Sequence, residues 1–210
     1  MHDLASHLGV IHRWAQRLVA TRSPEWVGGS SMDLERGPVD ATWLRRGGDT
    51  LVTTLRSADP VAEMWAWGPD HHVRWWSRRQ LHETLVHRID LELGVGTTSL
   101  VEPFLAVDAI DEFLVNLESA GRFSPRVREL RGDGGLLQFS ATDASASWTV
   151  ELRPEGFALV DAAPPDAQLR GRATELLCVL YRRLALEDSD LLVTGDRPLM
   201  DFWLSKCALE

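Results

Sequence analysis

The chain has 210 residues, of which 44% are hydrophobic and 25% are charged, a composition that is ordinary for one large or two small globular domains. Its formal net charge of −9 argues against general binding to nucleic acids or anionic membranes. The N-terminus lacks the basic and apolar run of a signal peptide, no stretch is apolar for long enough to span a bilayer, and two cysteines do not make a disulfide framework. These features predict a cytoplasmic protein.

The first predicted helix runs from His2 to Arg22. Its apolar residues recur at spacings of three and four, as expected for a core-facing stripe: Leu4, Leu8, Ile11, Ala15 and Leu18. His7 lies beside this stripe, so its side chain is expected to point toward the interior. His12 comes five residues later, about 140° around the helix, and cannot easily share a target with His7. Ser23-Pro24 ends the helix, and residues 24–37 are predicted to form a loop.

Two more helices are predicted before residue 97. Asp40 is a plausible N-cap for a helix that reaches about Arg56, with three inward residues: Trp43, Leu51 and Leu55. After an aromatic loop at residues 64–69, another helix is predicted from Trp75 to Leu93, because nothing breaks it and apolar residues recur at Leu81, Leu85 and Ile89. Gly94-Val95-Gly96 is expected to end this helix.

A fourth helix is predicted from about Val101 to Ala120, with an apolar set of five residues: Phe104, Leu105, Ala109, Phe113 and Leu117. Four helices with connections of moderate length indicate a helical bundle. The bundle is expected to form one domain, residues 1–124.

After Gly121 the pattern changes to short strand-like runs separated by turn residues. The predicted elements are strands at Leu136–Ala141, Ser147–Leu152, Gly156–Val160, Ala167–Arg170 and Leu191–Val193, and helices at Ala173–Leu186 and around Leu199–Leu204. The switch predicts a second domain, residues 125–210, with a boundary near residues 121–134.

Glu83 and His87 suggest a metal site, because residues four apart lie on one face of a helix, about 6 Å apart at Cβ. A carboxylate and an imidazole at this spacing can share a divalent ion, and His7 is the candidate third ligand. Such a set leaves one coordination position open, which is typical of catalytic zinc sites. The alternative is that His7 and His87 are hydrogen-bonded core histidines and Glu83 pairs with Arg79. Because E-x-x-x-H is common by chance, spacing alone favours this alternative.

Other candidate residues are better explained structurally. His82-Glu83 and His87 do not form the H-E-x-x-H protease motif, because the second histidine comes one residue too late. His82 is interpreted as a core or interface histidine, and His71-His72 as a solvated loop pair. The tryptophans are expected to pack in the core, although those of the aromatic loop could line a pocket, and the apolar surroundings of Cys178 predict an inert buried thiol.

Several segments resemble the mycothiol-dependent maleylpyruvate isomerase family. The run from Ser6 to Trp14 resembles that family's first metal-binding segment, and the run from Trp76 to Asp90 resembles its second and most characteristic one. Asp108–Leu114 is similar to a recurring piece of its fourth helix. Thr174–Arg183, followed by Gly195-Asp196, resembles its small second domain.

This resemblance implies an α+β protein: an N-terminal DinB-like four-helix bundle followed by a small α+β domain similar to sterol carrier proteins. It also implies a divalent metal, usually Zn²⁺, at the positions of His7, Glu83 and His87. The family's chemistry is the cis–trans isomerisation of maleylpyruvate with mycothiol as cofactor. A thiolate adds to the double bond, the adduct rotates, and the thiolate leaves. An arginine of the second domain would hold a substrate carboxylate, and Arg183 and Arg197 are the candidates.

The chain departs from the family in one respect. The family usually has a longer first helix and a Cys-Pro-Gly-Trp-like segment before the first histidine, whereas this sequence begins six residues before His7. The first hypothesis is a metal-dependent enzyme that uses mycothiol, or another low-molecular-weight thiol, on a small electrophile by isomerisation or thiol transfer. The alternative is a non-catalytic, metal-stabilised module that binds a thiol or another small ligand.

Overall fold

The computed structural model describes residues 2–32, 34–35, 37–97, 99–161 and 164–208. The chain divides into two compact units, one up to Ser99 and one from Leu100 onward. These described residues form six α-helices and one five-stranded sheet, which confirms the predicted α+β class. Across the same residues, no helix combines the length and apolar character needed to cross a membrane.

The first unit contains three of the predicted helices. They are α1 (His2–Thr21), α2 (Ala41–Ser57) and α3 (Val73–Gly94). Asp40 caps α2 as expected, since its side chain accepts a 2.7 Å hydrogen bond from the backbone N–H of Trp43. Beyond the end of α3, Gly96 adopts a φ of 73°, a conformation that glycine tolerates and that stops the helix.

The core of this unit is built from α1, α2, the start of α3 and an aromatic cluster. Trp76 is fully buried, its ring centroid lies 5.3 Å from that of Trp14 and 4.9 Å from that of Trp75, and its indole N–H donates a 2.8 Å hydrogen bond to the carbonyl of Trp65. Trp67 stacks edge-on against Trp75. The loop tryptophans therefore pack against the core, which is the role expected of the helical tryptophans.

Two predicted inward residues are instead exposed. Leu81 is 49% exposed because it lies on the solvent-facing stripe of α3, four residues after Ser77 and seven before Arg88. Phe104 is 72% exposed and shares its helix face with Val115, eleven residues later. In both helices the buried face includes more residues than the apolar sets predicted from the sequence. Leu81 and Phe104 lie outside this buried face.

The second unit contains the sheet and the remaining helices. In chain order its elements are α4 (Pro103–Ala120), β1 (Leu136–Ala141), β2 (Ser147–Arg153), β3 (Gly156–Val160), β4 (Ala167–Gly171), α5 (Ala173–Leu180), β5 (Leu192–Gly195) and α6 (Arg197–Lys206). The strand order is β3-β2-β1-β4-β5, with β1 and β4 parallel and the other neighbouring pairs antiparallel. In β1, Leu137 and Phe139 are fully buried and alternate with the more exposed Gln138, so one sheet face packs in the core.

The contacts of α4 place it with the sheet, where it packs against α5, β3 and the 3₁₀ turn at Pro125–Glu129. The chain therefore divides between residues 99 and 100, whereas the predicted division lies after residue 124. A four-helix bundle that includes α4 stays a prediction. Helix α5 is shorter than predicted, because Arg182 adopts a φ of 58° and the backbone amides of Arg183 and Leu184 both donate to the carbonyl of Cys178.

Candidate metal centre

The three predicted ligands come together in the first unit, with His7 on α1 and Glu83 and His87 on α3. The Oε1 atom of Glu83 lies 3.3 Å from Nε2 of His7 and 3.1 Å from Nε2 of His87. One ligand atom from each residue lies within 4.8 Å of the others. Zinc bonds of about 2.0–2.1 Å in tetrahedral geometry separate neighbouring ligand atoms by about 3.3 Å. The donor set therefore fits a divalent ion such as Zn²⁺ in both chemistry and spacing.

The site opens toward solvent at His7. The His7 side chain is 51% exposed, so the predicted inward orientation is wrong, whereas the side chains of Glu83 and His87 are mostly buried. His7 lies at the edge of the α1 face that packs against α3. Its ring therefore contacts Glu83 while about half of the side chain remains exposed to solvent. An exposed ligand beside two buried ones leaves room for a small molecule to approach the ligand atoms.

Asp90 orients His87, a role that no sequence argument assigned. Its Oδ2 atom lies 2.9 Å from Nδ1 of His87, on the side of the ring away from Glu83. A carboxylate at this nitrogen favours the tautomer with a proton on Nδ1, which leaves Nε2 as the metal-binding atom. The i, i+3 spacing of His87 and Asp90 on one helix is the sequence feature that could have predicted this contact.

Arg79 holds the other oxygen of Glu83. Its side chain is 4% exposed, and Nη2 donates a 3.3 Å hydrogen bond to Oε2 of Glu83. Two interpretations compete for Glu83 at the level of the sequence, namely a metal site and a pair with Arg79. The structure is compatible with both interpretations, because Oε1 of Glu83 faces the two histidines while Oε2 pairs with Arg79.

The charges within the cluster are strongly coupled. Although burial opposes ionisation, hydrogen bonds from His7 and His87 and the charge of Arg79 hold the pKa of Glu83 well below its usual range. Burial likewise opposes protonation of His87, but hydrogen bonds to Asp90 and Glu83 outweigh it and raise the pKa of His87 to about 9. Without a metal, a carboxylate and an imidazolium therefore face each other at neutral pH.

His12 joins the two helices that carry the ligands without being a ligand itself. The hydroxyl of Thr84 donates to the carbonyl of Gln80 at 2.8 Å, so it accepts at 3.0 Å from Nε2 of His12. His12 is 6% exposed, and this burial lowers its pKa and keeps the ring neutral. The His12–Thr84 hydrogen bond fixes α1 against α3 one residue beyond Glu83. The expectation that His12 and His7 face different targets agrees with these contacts.

The other candidates lie outside this cluster. His82 is fully buried, as a core histidine should be. His71 is exposed, and His72 pairs with Asp70 through a 2.5 Å contact. Cys178 is buried, as predicted for an inert thiol.

Arg183 and Arg197 both lie in the second unit. Arg183 donates a 2.7 Å hydrogen bond through Nη1 to the carbonyl of Tyr181. Arg197 donates at 2.7 Å to Asp201 and at 3.3 Å to Glu187, and these carboxylates raise its pKa. Binding of a substrate carboxylate by either arginine stays a prediction.

Comparison with solved structures gives distant similarities. A UbiJ-SCP2 ubiquinone synthesis protein is 17% identical, with 53% of this chain and 95% of that chain covered and a TM-score of 0.37. Sterol carrier protein 2 like 2 from Aedes aegypti is 18% identical, with coverages of 60% and 96% and a TM-score of 0.29. A stereoselective inverting sec-alkylsulfatase from Pseudomonas sp. is 10% identical, with coverages of 99% and 30% and a TM-score of 0.37. Scores this low support no argument about the function of this chain.

No curated protein matches the sequence. Two protein-family models do match it, and together they identify the family. Residues 1–92 match the mycothiol maleylpyruvate isomerase N-terminal domain, and this match contains all three candidate ligands. Residues 105–202 match the MDMPI C-terminal domain. Because the two matches leave only short stretches of the sequence uncovered, the chain belongs to the mycothiol maleylpyruvate isomerase family.

Proposed function

We propose that this protein is a metal-dependent enzyme that uses mycothiol, or a similar low-molecular-weight thiol, to act on a small electrophile. The observation that carries the proposal is the convergence of His7, Glu83 and His87 in a chain of this family. The reaction is an isomerisation through reversible thiol addition, or a transfer of the thiol to the electrophile. Zn²⁺ is the proposed metal, although these ligands also suit other divalent ions such as nickel.

A bound divalent ion would lower the pKa of a thiol and favour the thiolate at neutral pH. The protein's own residues prepare for this chemistry. Asp90 keeps Nε2 of His87 directed at the shared ligand position, and Arg79 fixes the plane of the Glu83 carboxylate. The exposed edge of His7 provides the approach for thiol and substrate.

Isomerisation by this route needs no oxidant or reductant. The thiolate sulfur forms a bond to one carbon of the double bond, and the electron pair moves into the conjugated carbonyl. Rotation about the resulting single bond and expulsion of the same thiolate restore the double bond in the other geometry. An arginine of the second unit, Arg183 or Arg197, is proposed to hold a carboxylate of the substrate during the rotation.

The test is turnover by the Zn²⁺-loaded protein with mycothiol and maleylpyruvate, followed by a panel of other small electrophiles. Product formation that requires both metal and thiol, and that is lost in His87→Ala, supports the proposal. His71→Ala is the matched control, because His71 is an exposed histidine of the same unit outside the cluster. Saturable thiol binding without turnover of any electrophile would instead favour the non-catalytic, metal-stabilised binding module. The cytoplasmic location stays a prediction.

A further inference from the structure

The two oxygens of Glu83 have different partners. Oε1 faces both imidazoles, at 3.3 Å from Nε2 of His7 and 3.1 Å from Nε2 of His87. Oε2 accepts the hydrogen bond from Nη2 of Arg79 at 3.3 Å. A carboxylate can bind a metal through one oxygen or through both, and these modes occupy different numbers of coordination positions. Here Oε1 faces the candidate metal position, and Oε2 is hydrogen-bonded to Arg79.

Arg79 is well placed to keep Oε2 in this arrangement. It lies one helical turn before Glu83 on α3, and its side chain is only 4% exposed. A buried guanidinium has little freedom to turn away, and its planar fork of N–H donors suits a carboxylate oxygen. An arginine is also an unusual neighbour for a cation site, because its positive charge opposes binding of a divalent ion.

We propose that Arg79 is a positioning residue that restricts Glu83 to binding the metal through Oε1. The position that Oε2 would otherwise occupy is thereby kept for an exogenous ligand of the thiolate class. This inference deepens the proposed function and rests on it, since it requires a metal at His7, Glu83 and His87. It assigns to Arg79 a contribution to thiol binding rather than to metal affinity.

The experiment replaces Arg79 with methionine, which keeps much of the length and removes the charge and the donors. The matched control is Arg88→Met, because Arg88 forms the same kind of i, i+4 pair on α3, with Glu92 at 3.6 Å, on the exposed face of the helix. Each protein is loaded with Co²⁺, and its visible absorption, its Co²⁺ affinity and its affinity for mycothiol are measured.

In Arg79→Met the released Oε2 also binds the ion, so coordination rises and the visible Co²⁺ bands weaken. Co²⁺ affinity stays at the wild-type level or increases, and mycothiol affinity falls by about tenfold or more. Arg88→Met leaves all three measurements at wild-type values. A purely structural brace predicts the opposite pattern, namely weaker Co²⁺ binding with an unchanged spectrum, and that result overturns the inference.

A second measurement covers the case in which Arg79→Met does not fold. In a crystal structure of the Zn²⁺-loaded wild type, Oε1 of Glu83 is expected at about 2.0–2.2 Å from the ion, with Oε2 beyond bonding distance and on Arg79. Two bonded oxygens would overturn the inference about Arg79 and leave the proposed function intact. A wild-type protein that binds no divalent ion would overturn the proposed function itself.

Discussion

Metal binding to this protein is expected to release about one proton at neutral pH. The raised pKa of His87, about 9, means that its ring is protonated in the metal-free protein at pH 7, and the proton on Nε2 faces Glu83. A metal needs the lone pair of that nitrogen, so binding must displace the proton. Glu83 contributes no proton, because its pKa lies well below its usual range and it is already ionised.

The size of the effect follows from this pKa. Between pH 9 and pH 7 the proton and the metal compete for one nitrogen, so the apparent metal affinity falls about tenfold per pH unit, or about 100-fold in total. Above pH 9 the ring of His87 is neutral and this part of the pH dependence ends. The sign is fixed by the direction of the shift, since a raised pKa makes metal binding weaker as the pH falls through it.

The assay is titration calorimetry of the metal-free protein with Zn²⁺ at pH 7, in two buffers with different heats of ionisation. The difference in measured heat gives the number of protons released. Asp90→Asn is the informative variant, because it weakens the hydrogen bond that supports the protonated ring and should reduce proton release at pH 8. Tight Zn²⁺ binding with no proton release at pH 7 would show that His87 is not protonated in the metal-free protein.

Three further predictions concern stability and reactivity. Thr84→Val removes the acceptor of the buried Nε2–H of His12 and should lower the free energy of unfolding, measured by chemical denaturation, by about 1–3 kcal/mol. The control Thr53→Val, on the exposed face of α2, should change this free energy by less than about 0.5 kcal/mol. Gly195→Ala combines a φ of 80° with a new Cβ placed 2.0 Å from a backbone oxygen and should cost at least about 2 kcal/mol; an unchanged thermal midpoint would contradict this. Burial raises the pKa of Cys207 to about 12, so iodoacetamide at pH 8 should modify it only in denaturant, as read by mass spectrometry of its peptide.

The helix and strand positions were largely predictable from the sequence, because they depend on local signals. Asp40 as a cap, the glycines after α3 and the short alternating runs after residue 134 all act within a few residues of the elements that they define. The direction of burial was less predictable. Leu81 and Phe104 are apolar residues on solvent-facing stripes, and only the neighbouring elements decide which side of a helix is covered.

The candidate metal site was likewise predictable in part: its ligands follow from local spacing, whereas the residues that orient them do not. Glu83 and His87 could be paired from their spacing on one helix, and His7 could be added as a third ligand from another helix. The roles of Asp90 and Arg79 depend on which atom of each ligand faces which partner, and spacing does not contain that information. His7 was expected to point inward because it borders an apolar stripe, but its ring lies at the edge of that stripe and reaches Glu83 from the solvent side.

The proposed function depends on the binding of a divalent metal by His7, Glu83 and His87. The most direct measurement is the metal content of the purified protein by elemental analysis, made on the wild type and on His87→Ala under the same conditions at neutral pH. We expect about one equivalent of Zn²⁺ or another divalent ion in the wild type and its loss in His87→Ala. A wild-type protein that is purified without metal, and that takes up none when a divalent ion is added, would show that these three residues do not form a metal site.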